Sequence, residues 1–306
     1  MSSPNATTNV LEKHPLSAVE ETSVVPIKSK ARNEYYSIDV RQLSYLQYVK
    51  LRLGDLFKYR YALRNSVISN LKRRYRRSTL GFAWSLLNPL LTMAVLALMF
   101  GTIFHQKYQT FSVYVFSALL PWNFIAQSLL QGTESFVNNE SSLKRIVLPK
   151  TFFPLVTVCT EMSNFMLSLA SFLVLGLLLE VHYSWALLTI PFAALITSIL
   201  AFGLAISMAV LTVYWRDLQH IMSVIIQILF YTVPIIYPLE SLSENISWIV
   251  QLNPFYYFIR LFRFSIYDSQ CPPLSDWLLC TCIAVFVLAI SLRLLQDTER
   301  ELVFRL

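Results

Sequence analysis

Long apolar runs separated by short polar segments dominate the 306-residue chain. A helix needs about 20 mostly apolar residues to cross a bilayer, and each run reaches that length or comes close to it. The runs occupy residues 82–104, 111–133, 152–179, 185–213, 219–239 and 276–293. This pattern predicts an all-α integral membrane protein whose six transmembrane helices fill residues 81–296.

The segment before the first run has the spacing of an amphipathic helix. At about 100° per residue, most of its apolar side chains from Leu53 to Tyr75 share one arc. The pattern predicts a helix over residues 41–80 that lies in the membrane interface. A helix packed on another protein fits the same pattern. Arg60 and Arg64 fall inside the apolar arc, where long side-chain stems can lift the charges to the lipid headgroups.

A second unusual segment precedes the last apolar run. Residues 247–250 (SWIV) and 253–262 (NPFYYFIRLF) are too apolar for an open loop, yet Pro254 interrupts them before they reach the length of a span. We therefore expect a re-entrant hairpin over residues 242–267 on the outer side. The alternative is an aromatic-anchored outer helix that packs on the bundle.

Composition agrees with a membrane protein. Residues of the AVILMFWYC set make up 55% of the chain and charged residues only 14%, whereas soluble domains carry about 25% charged residues. The composition excludes a cytosolic enzyme, a disordered chain and a disulfide-rich scaffold. The four cysteines include no CxxC pair, which argues against a zinc or redox site.

Charge fixes the predicted orientation. The net charge is +7, and most of the basic residues precede the first run or lie in loops on the same side of the membrane as that segment. The positive-inside rule then places both termini in the cytoplasm. Residues 1–40 are polar and are expected to form a disordered cytoplasmic tail, and residues 297–306 a short cytoplasmic C-terminus. The basic segment abuts an apolar run, so membrane lipids are its expected partner and nucleic acid is not.

Known catalytic and nucleotide-binding motifs are missing from the sequence. The chain has six glycines and no GxxxxGK[ST] loop, HExxH or GxSxG motif. The sequence therefore predicts no ATP site, no metal site and no enzyme activity of its own.

Glu161 and Asn164 lie one helical turn apart inside the third run. Two interpretations stay open for them: contact with a substrate or proton, and a hydrogen bond within the bundle.

Aromatic side chains and one cytoplasmic loop are further candidates. Rings offer flat faces on which a sliding sugar polymer can stack, although membrane-interface belts or packing explain the same residues. The candidates for lining a path are Tyr114, Trp122, Phe124, Tyr231 and Tyr237. The basic loop around residues 138–150 predicts a short docking helix, with an ordinary cytoplasmic loop as the alternative.

Four stretches together resemble a known family. They are RRYRRSTLGFAWSLLNPLL (73–91), ESSLKRIVLPKTFFPL (140–155), VYWRDLQHIMSVIIQILFYTVPIIYPLE (213–240) and LNPFYYFIRLFR (252–263). Their order and the six-span layout resemble the permease subunit of ABC-type polysaccharide exporters, which handle O-antigen, capsule and teichoic-acid polymers. Each stretch alone is a weak signal, whereas the combination is specific.

The resemblance implies partners and a location. It implies a homodimer in the cytoplasmic (inner) membrane that binds two copies of a separate ABC ATPase. ATP and Mg²⁺ would be bound by that ATPase, so this chain would need no cofactor. The cargo would be a lipid-linked glycan of the kind used in lipopolysaccharide biosynthesis.

The resemblance also implies roles for particular residues. Residues 138–150 would form the coupling helix, with Lys144, Arg145, Pro149 and Lys150 at the ATPase. The outer gate would include Pro234, Pro238, Asn253, Pro254, Phe255, Arg260 and Arg263. The residues facing the lipid phosphate would be Arg60, Arg64, Arg73, Arg74, Arg76 and Arg77, with anchoring to anionic lipids as an equal alternative.

Two other functions fit parts of the sequence. An ABC exporter permease for a small lipid or drug has the same layout, although the long basic helix and the aromatic content favour a polymer. An integral-membrane polyprenyl-lipid transferase would need carboxylates or histidines at the membrane face. The available groups, Glu134, Glu140, Asp217 and His220, form no recognised constellation.

Overall fold

The computed structural model describes residues 43–75, 108–145, 148–178 and 184–306, together with six isolated residues between 87 and 99. These residues belong to one compact unit, Asp39–Leu306. The predicted tail 1–40, most of the predicted first span 82–104, and Arg76 and Arg77 lie outside the described residues.

All regular elements in the described ranges are helical. The α-helices are α1 (Tyr45–Lys58), α2 (Arg60–Tyr75), α3 (Tyr108–Thr133), α4 (Glu140–Arg145), α5 (Phe152–Leu178), α6 (Ile190–Tyr214), α7 (Leu218–Thr232), α8 (Glu244–Leu252), α9 (Pro254–Ile266) and α10 (Leu274–Arg305). Short 3₁₀ segments cover Val137–Asn139, Trp185–Thr189 and Leu239–Ser241. The predicted all-α class is confirmed for this part of the chain.

Four stretches of helix are long and apolar enough to cross a membrane. They are Thr110–Thr133, Phe152–Val174, Trp185–Tyr214 and Leu274–Glu299, and they coincide with four of the six predicted spans. The first predicted span is largely undescribed, and the fifth corresponds to the shorter α7.

The prediction of one helical span over residues 219–239 is wrong for its last seven residues. Helix α7 ends at Thr232, and Val233 is extended, with φ −98° and ψ 132°. The following residue is Pro234, whose ring disfavours the helical conformation in the residue before it. With 15 residues, α7 is about 22 Å long at 1.5 Å per residue, which is less than the roughly 30 Å of a bilayer core.

The predicted interface helix is divided into α1 and α2. Tyr59 interrupts the helix, but hydrogen bonding continues across it: its N–H donates to the Asp55 carbonyl and its carbonyl accepts from the Leu63 N–H, both at 2.9 Å. Phe57 and Tyr61, on either side of the break, are 74% and 66% exposed. The two helices therefore share an outward apolar surface, as an interface helix requires.

Helix α6 is the centre of the bundle. It packs on α3, α5 and α10, and two glycines allow the closest approaches. A Cβ added at Gly203 would lie 2.9 Å from the backbone of Leu288 in α10, and one at Gly132 of α3 would lie 2.6 Å from the Cβ of Ala205 in α6. Small residues at such crossings let helix backbones come together without a large side chain between them.

The last helix is longer than predicted at its C-terminal end. The sequence predicts a span over residues 276–293 and a separate cytoplasmic terminus from 297, but α10 runs on to Arg305. Residues 294–305 contain neither glycine nor proline, so nothing in the sequence ends the helix there. The predicted terminus is thus the final part of one continuous helix.

Candidate functional site

A buried apolar cluster marks the end of the bundle that carries α4, called here the α4 end. Leu143 of α4 is 5% exposed and belongs to a cluster that includes Phe136, Phe152 and Leu302. One apolar side chain thus anchors a six-residue helix to the body of the protein. The helix itself covers Glu140–Arg145, which is shorter than the predicted 138–150.

The exposed side of α4 carries its charges. Lys144 donates to the Glu140 carboxylate at 2.6 Å, and this hydrogen bond lowers the pKa of Glu140. Arg145 is exposed. The structure therefore places two of the predicted coupling residues side by side on the surface, with the backbone of α4 fixed beneath them by Leu143.

The other two predicted coupling residues lie deeper. Pro149 is buried and lines a small space shared with Asp55 and Tyr59 at the α1–α2 junction. Lys150 is half-buried, and burial lowers the pKa of its ammonium group, while the nearby Glu299 carboxylate acts in the opposite direction. These two residues join the segment after α4 to α1, α2 and α10.

A buried ionic network connects α1 to α10 at this end. Arg52, 5% exposed, donates to both Glu299 carboxylate oxygens at 2.6 Å and to Asp55 at 3.0 Å. The Tyr48 hydroxyl donates to Glu299 at 3.1 Å. Burial acts to lower the pKa of the Arg52 guanidinium, but the Glu299 carboxylate holds it above its ordinary value.

Sequence reasoning missed this network. Arg52 and Glu299 are 247 residues apart, and each sits among other charged residues that look solvent-exposed in the sequence. The sequence pattern predicts only a short cytoplasmic terminus over residues 297–306, which contains Glu299. The available signal is that no glycine or proline follows residue 293. A helix that continues to residue 299 carries Glu299 alongside the bundle.

A second ion pair connects α2 to α5. Arg74 donates to the Glu161 carboxylate at 3.2 Å, and Asn164 donates to the same carboxylate at 3.1 Å. Glu161 is 7% exposed, whereas about half of the Arg74 side chain is exposed. Of the two interpretations that the sequence left open for Glu161 and Asn164, the hydrogen bond within the protein is present. The neighbouring Arg73 is exposed, as are Arg60 and Arg64 further along α2.

The segment predicted to form the outer hairpin consists of two short helices, α8 and α9, joined at Asn253, and is called the hairpin below. The Asn253 side chain accepts a hydrogen bond from the Phe255 N–H at 3.0 Å and donates to Thr232 at the end of α7 at 3.1 Å. Pro254 occupies the first position of α9, where a missing N–H costs nothing. Asn253 thus caps α9 and ties the junction to α7.

Two arginines of α9 hold the hairpin in place. Arg263 donates to the Pro234 carbonyl at 2.7 Å, and its guanidinium lies 4.0 Å from the centre of the Tyr114 ring. Burial lowers the pKa of Arg263. Arg260 forms an ion pair of 3.2 Å with Asp276 at the start of α10. The predicted gate residues therefore connect α9 to α3, to the segment after α7 and to α10.

Segment 234–238 lies beside these contacts. The Tyr114 hydroxyl donates to the Tyr237 carbonyl at 2.9 Å, which fastens this segment to α3. Pro234 is buried and Pro238 is half-buried. The chain after α7 is therefore held by side chains of two helices although it has no helical hydrogen bonds of its own.

The five candidate aromatics fall in different environments. Trp122 and Phe124 are 3% and 2% exposed; Trp122 packs on Phe230 and Phe255, and Phe124 packs on Phe165. Both are core residues within this chain. Tyr231 is 64% exposed, and Tyr114 and Tyr237 are half-buried.

Comparison with known proteins identifies the family. The sequence profile of the ABC-2 type transporter family matches residues 61–267. This chain belongs to the ABC-2 type transporter family. The ABC-2 chain is a multi-pass membrane protein, and the resemblance stated from its sequence is confirmed. The matched range contains α2, α4 and the hairpin, whereas Arg52 and Glu299 lie outside it.

Individual relatives extend the ABC-2 match over most of the chain. An O-antigen export system permease protein RfbA from Myxococcus xanthus is 30% identical over 249 residues, which cover 81% of this chain and 96% of the relative. A protein of the same name from Klebsiella pneumoniae is 30% identical over 210 residues, 67% of this chain and 79% of the relative. Within the described part of this ABC-2 chain, no group of three His, Cys, Asp or Glu side chains is arranged to hold a metal ion.

Proposed function

We propose that this chain is the permease subunit of an ATP-driven exporter that moves a lipid-linked polysaccharide across the cytoplasmic membrane. The observation that carries the proposal is the 30% identity over 96% of an O-antigen export permease. The chain acts as a homodimer with two copies of an ABC ATPase, which binds ATP and Mg²⁺. It performs transport and no chemistry of its own.

The α4 end is the ATPase docking site in this proposal. Lys144 and Arg145 are exposed, while buried Leu143 ties the helix to the core, so a force applied to α4 reaches the bundle. Pro149 and Lys150 carry that force to α1, α2 and α10. The positive-inside rule places this end in the cytoplasm, where the ATPase works.

The second copy of the chain covers the free face of α7. Val224, Ile228 and Tyr231 are 56%, 57% and 64% exposed and follow one another at helical spacing, which gives α7 an apolar face that the described helices leave largely uncovered. Two such faces enclose the path of the glycan, with Tyr231 and Tyr237 at its edge. The α8–α9 hairpin closes the path on the outer side.

Transport follows from the coupling of these parts. ATP binding draws the two ATPases together, and α4 transmits this movement to the packing between the two permease copies. The ATPase dimer favours the open state because it binds that state more tightly, which is what a shift between two conformations requires. Hydrolysis then returns the permease to its closed state.

The test is co-purification of the tagged chain from its native membrane, followed by transport with Arg145→Glu. We expect a stoichiometric ABC ATPase, and we expect Arg145→Glu to weaken ATPase binding and export at least tenfold, because it reverses the docking charge and keeps the Lys144–Glu140 pair. Lys50→Glu, at an exposed site in α1, is the matched control.

Three outcomes contradict the proposal in different ways. Recovery of the chain alone, under conditions that preserve a control transporter complex, overturns the partnership with an ATPase. Full export by Arg145→Glu and by the Lys144→Glu/Arg145→Glu double variant overturns the docking site. ATP-driven release of a small lipid or drug, with no loss of surface polysaccharide on gene deletion, overturns the cargo.

A further inference from the structure

A cavity with a mixed polar and apolar lining lies at the α4 end between α2, α5 and the connection from α3 to α4. Its volume is about 580 Å³, within the range of about 300–1,000 Å³ that small-molecule sites occupy. Hydroxyl and amide side chains come from all three walls, among them Asn70, Ser135, Asn139 and Thr157. Leu148, Phe152, Phe153 and Val156 complete the lining, so the polar side chains meet the edge of the apolar cluster beneath α4 in this cavity.

The wall formed by α2 presents one polar face to this cavity. Ser66, Ser69, Asn70 and Arg73 line the cavity and follow the i, i+3, i+4, i+7 spacing of a single helix face. The exposed apolar side chains of α2, such as Ile68, lie on the opposite side. Helix α2 therefore separates an apolar surface, suited to lipid, from a polar surface that lines the cavity.

The cavity lining includes the Arg74–Glu161 ion pair. One nitrogen of the guanidinium binds Glu161, and about half of the Arg74 side chain is exposed. A guanidinium has five N–H donors in a fixed plane, so donors remain for a second acceptor. Glu161, itself held by Asn164, fixes the direction in which those donors point.

Ser135 supplies an independent indication of a ligand. It lines the cavity, it is 3% exposed, and its hydroxyl is buried without a hydrogen-bond partner. Buried hydroxyl groups are normally hydrogen-bonded, and an unmet one costs free energy. Ser135 lines the cavity, so rotation of its side chain to another staggered position would let the hydroxyl meet a bound molecule that carries hydroxyl groups.

We propose that this cavity binds the phosphate-linked sugar end of the glycolipid that the permease exports. Arg73 and Arg74 bind the phosphate, because guanidinium groups match phosphate oxygens in charge and geometry. The neutral hydroxyl and amide side chains bind the first sugar. Glu161 is a positioning residue that acts through Arg74. This inference rests on the proposed function and names the part of the cargo that the chain recognises.

The position of the cavity connects recognition to the ATPase. Asn138, Asn139 and Ser142 line the cavity and belong to the same short connection and helix whose exposed side carries Lys144 and Arg145. A bound head group contacts this segment from inside the protein while the ATPase contacts it from outside. Occupation of the cavity is therefore expected to raise ATP hydrolysis.

The test measures binding to the full permease–ATPase complex in nanodiscs of phosphatidylcholine. The probe is a short-chain prenyl diphosphate that carries one N-acetylhexosamine. Comparison probes are the same prenyl diphosphate without sugar, inorganic pyrophosphate, and vesicles of phosphatidylglycerol. We expect the sugar-bearing probe to bind most tightly and to stimulate ATP hydrolysis. Equal competition by pyrophosphate or by phosphatidylglycerol overturns the proposal in favour of a bare anion site or a lipid surface.

Variants separate the two halves of the site. We expect Arg73→Gln to weaken binding of both diphosphate probes about tenfold, the loss of one charge-assisted hydrogen bond, whereas Lys72→Gln, an exposed neighbour outside the cavity lining, leaves it unchanged. Asn70→Leu should weaken the sugar-bearing probe alone. Glu161→Gln should weaken binding several-fold in the native chain and have no effect when Arg74→Gln is also present.

Photo-cross-linking tests the site in the unmodified chain, without a substitution that could impair folding. A photoreactive group on the sugar of the probe should label residues 66–74 or 131–161 in the unmodified chain. Two results overturn the assignment of the binding site to this cavity and leave the proposed function standing. One is labelling elsewhere in the chain, and the other is variants that bind the probe as well as the native chain does while ATP-dependent export continues. Absence of an ATPase partner or of ATP-dependent export overturns the proposed function itself.

Discussion

Single charged residues at the α4 end hold together parts of the chain that are distant in sequence. Arg52 meets Glu299 and Arg74 meets Glu161, so the helices before the first predicted span are fixed both to the last helix and to α5. A buried ion pair adds modest net stability, but removing one partner leaves an uncompensated charge in the interior. These contacts therefore act mainly as fixed points of attachment.

The attachment of α1 to α10 can be tested at Glu299. Glu299→Ala removes the hydrogen bonds from Arg52 and Tyr48 and leaves the buried Arg52 guanidinium paired with Asp55 alone, so we expect a loss of about 1.5–3 kcal/mol in the free energy of unfolding. The measurement is thermal unfolding of the purified chain in mild detergent. Glu301→Ala, an exposed site in the same helix, should change stability by less than about 0.5 kcal/mol.

The residue scale is also where sequence reasoning was weakest. The charge of Glu161 within an apolar run marked it as unusual, and its partner Arg74 was itself a candidate, but the pairing of the two across 87 residues cannot be read from periodicity. Similarly, Trp122 and Phe124 were grouped with Tyr231 because aromatic content does not reveal which rings pack inside. Side-chain partners depend on how the helices are arranged, and local pattern does not encode that arrangement.

At the scale of elements, the apolar runs predicted most helices because run length and composition decide whether a segment can span a bilayer. The predicted ends were less accurate. Pro234 ended α7 early, and the absence of a breaker let α10 continue to Arg305. The interruption at Tyr59 has no sequence signal, since the amphipathic pattern continues through it.

Helix packing around α6 gives an element-scale prediction. Gly203→Ala places a Cβ 2.9 Å from the backbone of Leu288, so α6 and α10 must move apart, at a cost of about 1–3 kcal/mol. Gly54→Ala is the matched control, because nothing lies within 4 Å of its added Cβ. The control should be neutral or stabilising by up to about 1 kcal/mol. Unfolding in detergent distinguishes the two, and equal stability of both variants would argue against the close crossing.

At the scale of the whole molecule, the positive-inside pattern predicts which end faces the cytoplasm. That prediction assigns the α4 end to the inside and the hairpin, with the loop after it, to the outside. The order of the helices is compatible with this assignment. The two orientations differ in which loops reach the outer surface, so labelling of a loop from outside distinguishes them.

Labelling of a native cysteine, Cys271, can show on which side of the membrane the loop between α9 and α10 lies. Cys271 is exposed in the loop between α9 and α10, whereas Cys159 and Cys280 are partly or fully buried. We expect a membrane-impermeant maleimide to label Cys271 in intact spheroplasts, and Cys271→Ser to abolish that labelling. Cys282, exposed on α10 within a candidate span, should react slowly because lipid covers it. Labelling that appears only after the membrane is opened would reverse the predicted orientation.

Helix α10 also has a mechanical consequence. Its 32 residues make a rod of about 48 Å, longer than the roughly 30 Å core of a bilayer. Near its first turn Asp276 is paired with Arg260 of the hairpin, and near its last turns Glu299 is paired with Arg52 of α1. Because this rod is attached at both ends, a tilt of α10 about its close crossing with α6 at Gly203 would move the hairpin and α1 in opposite directions.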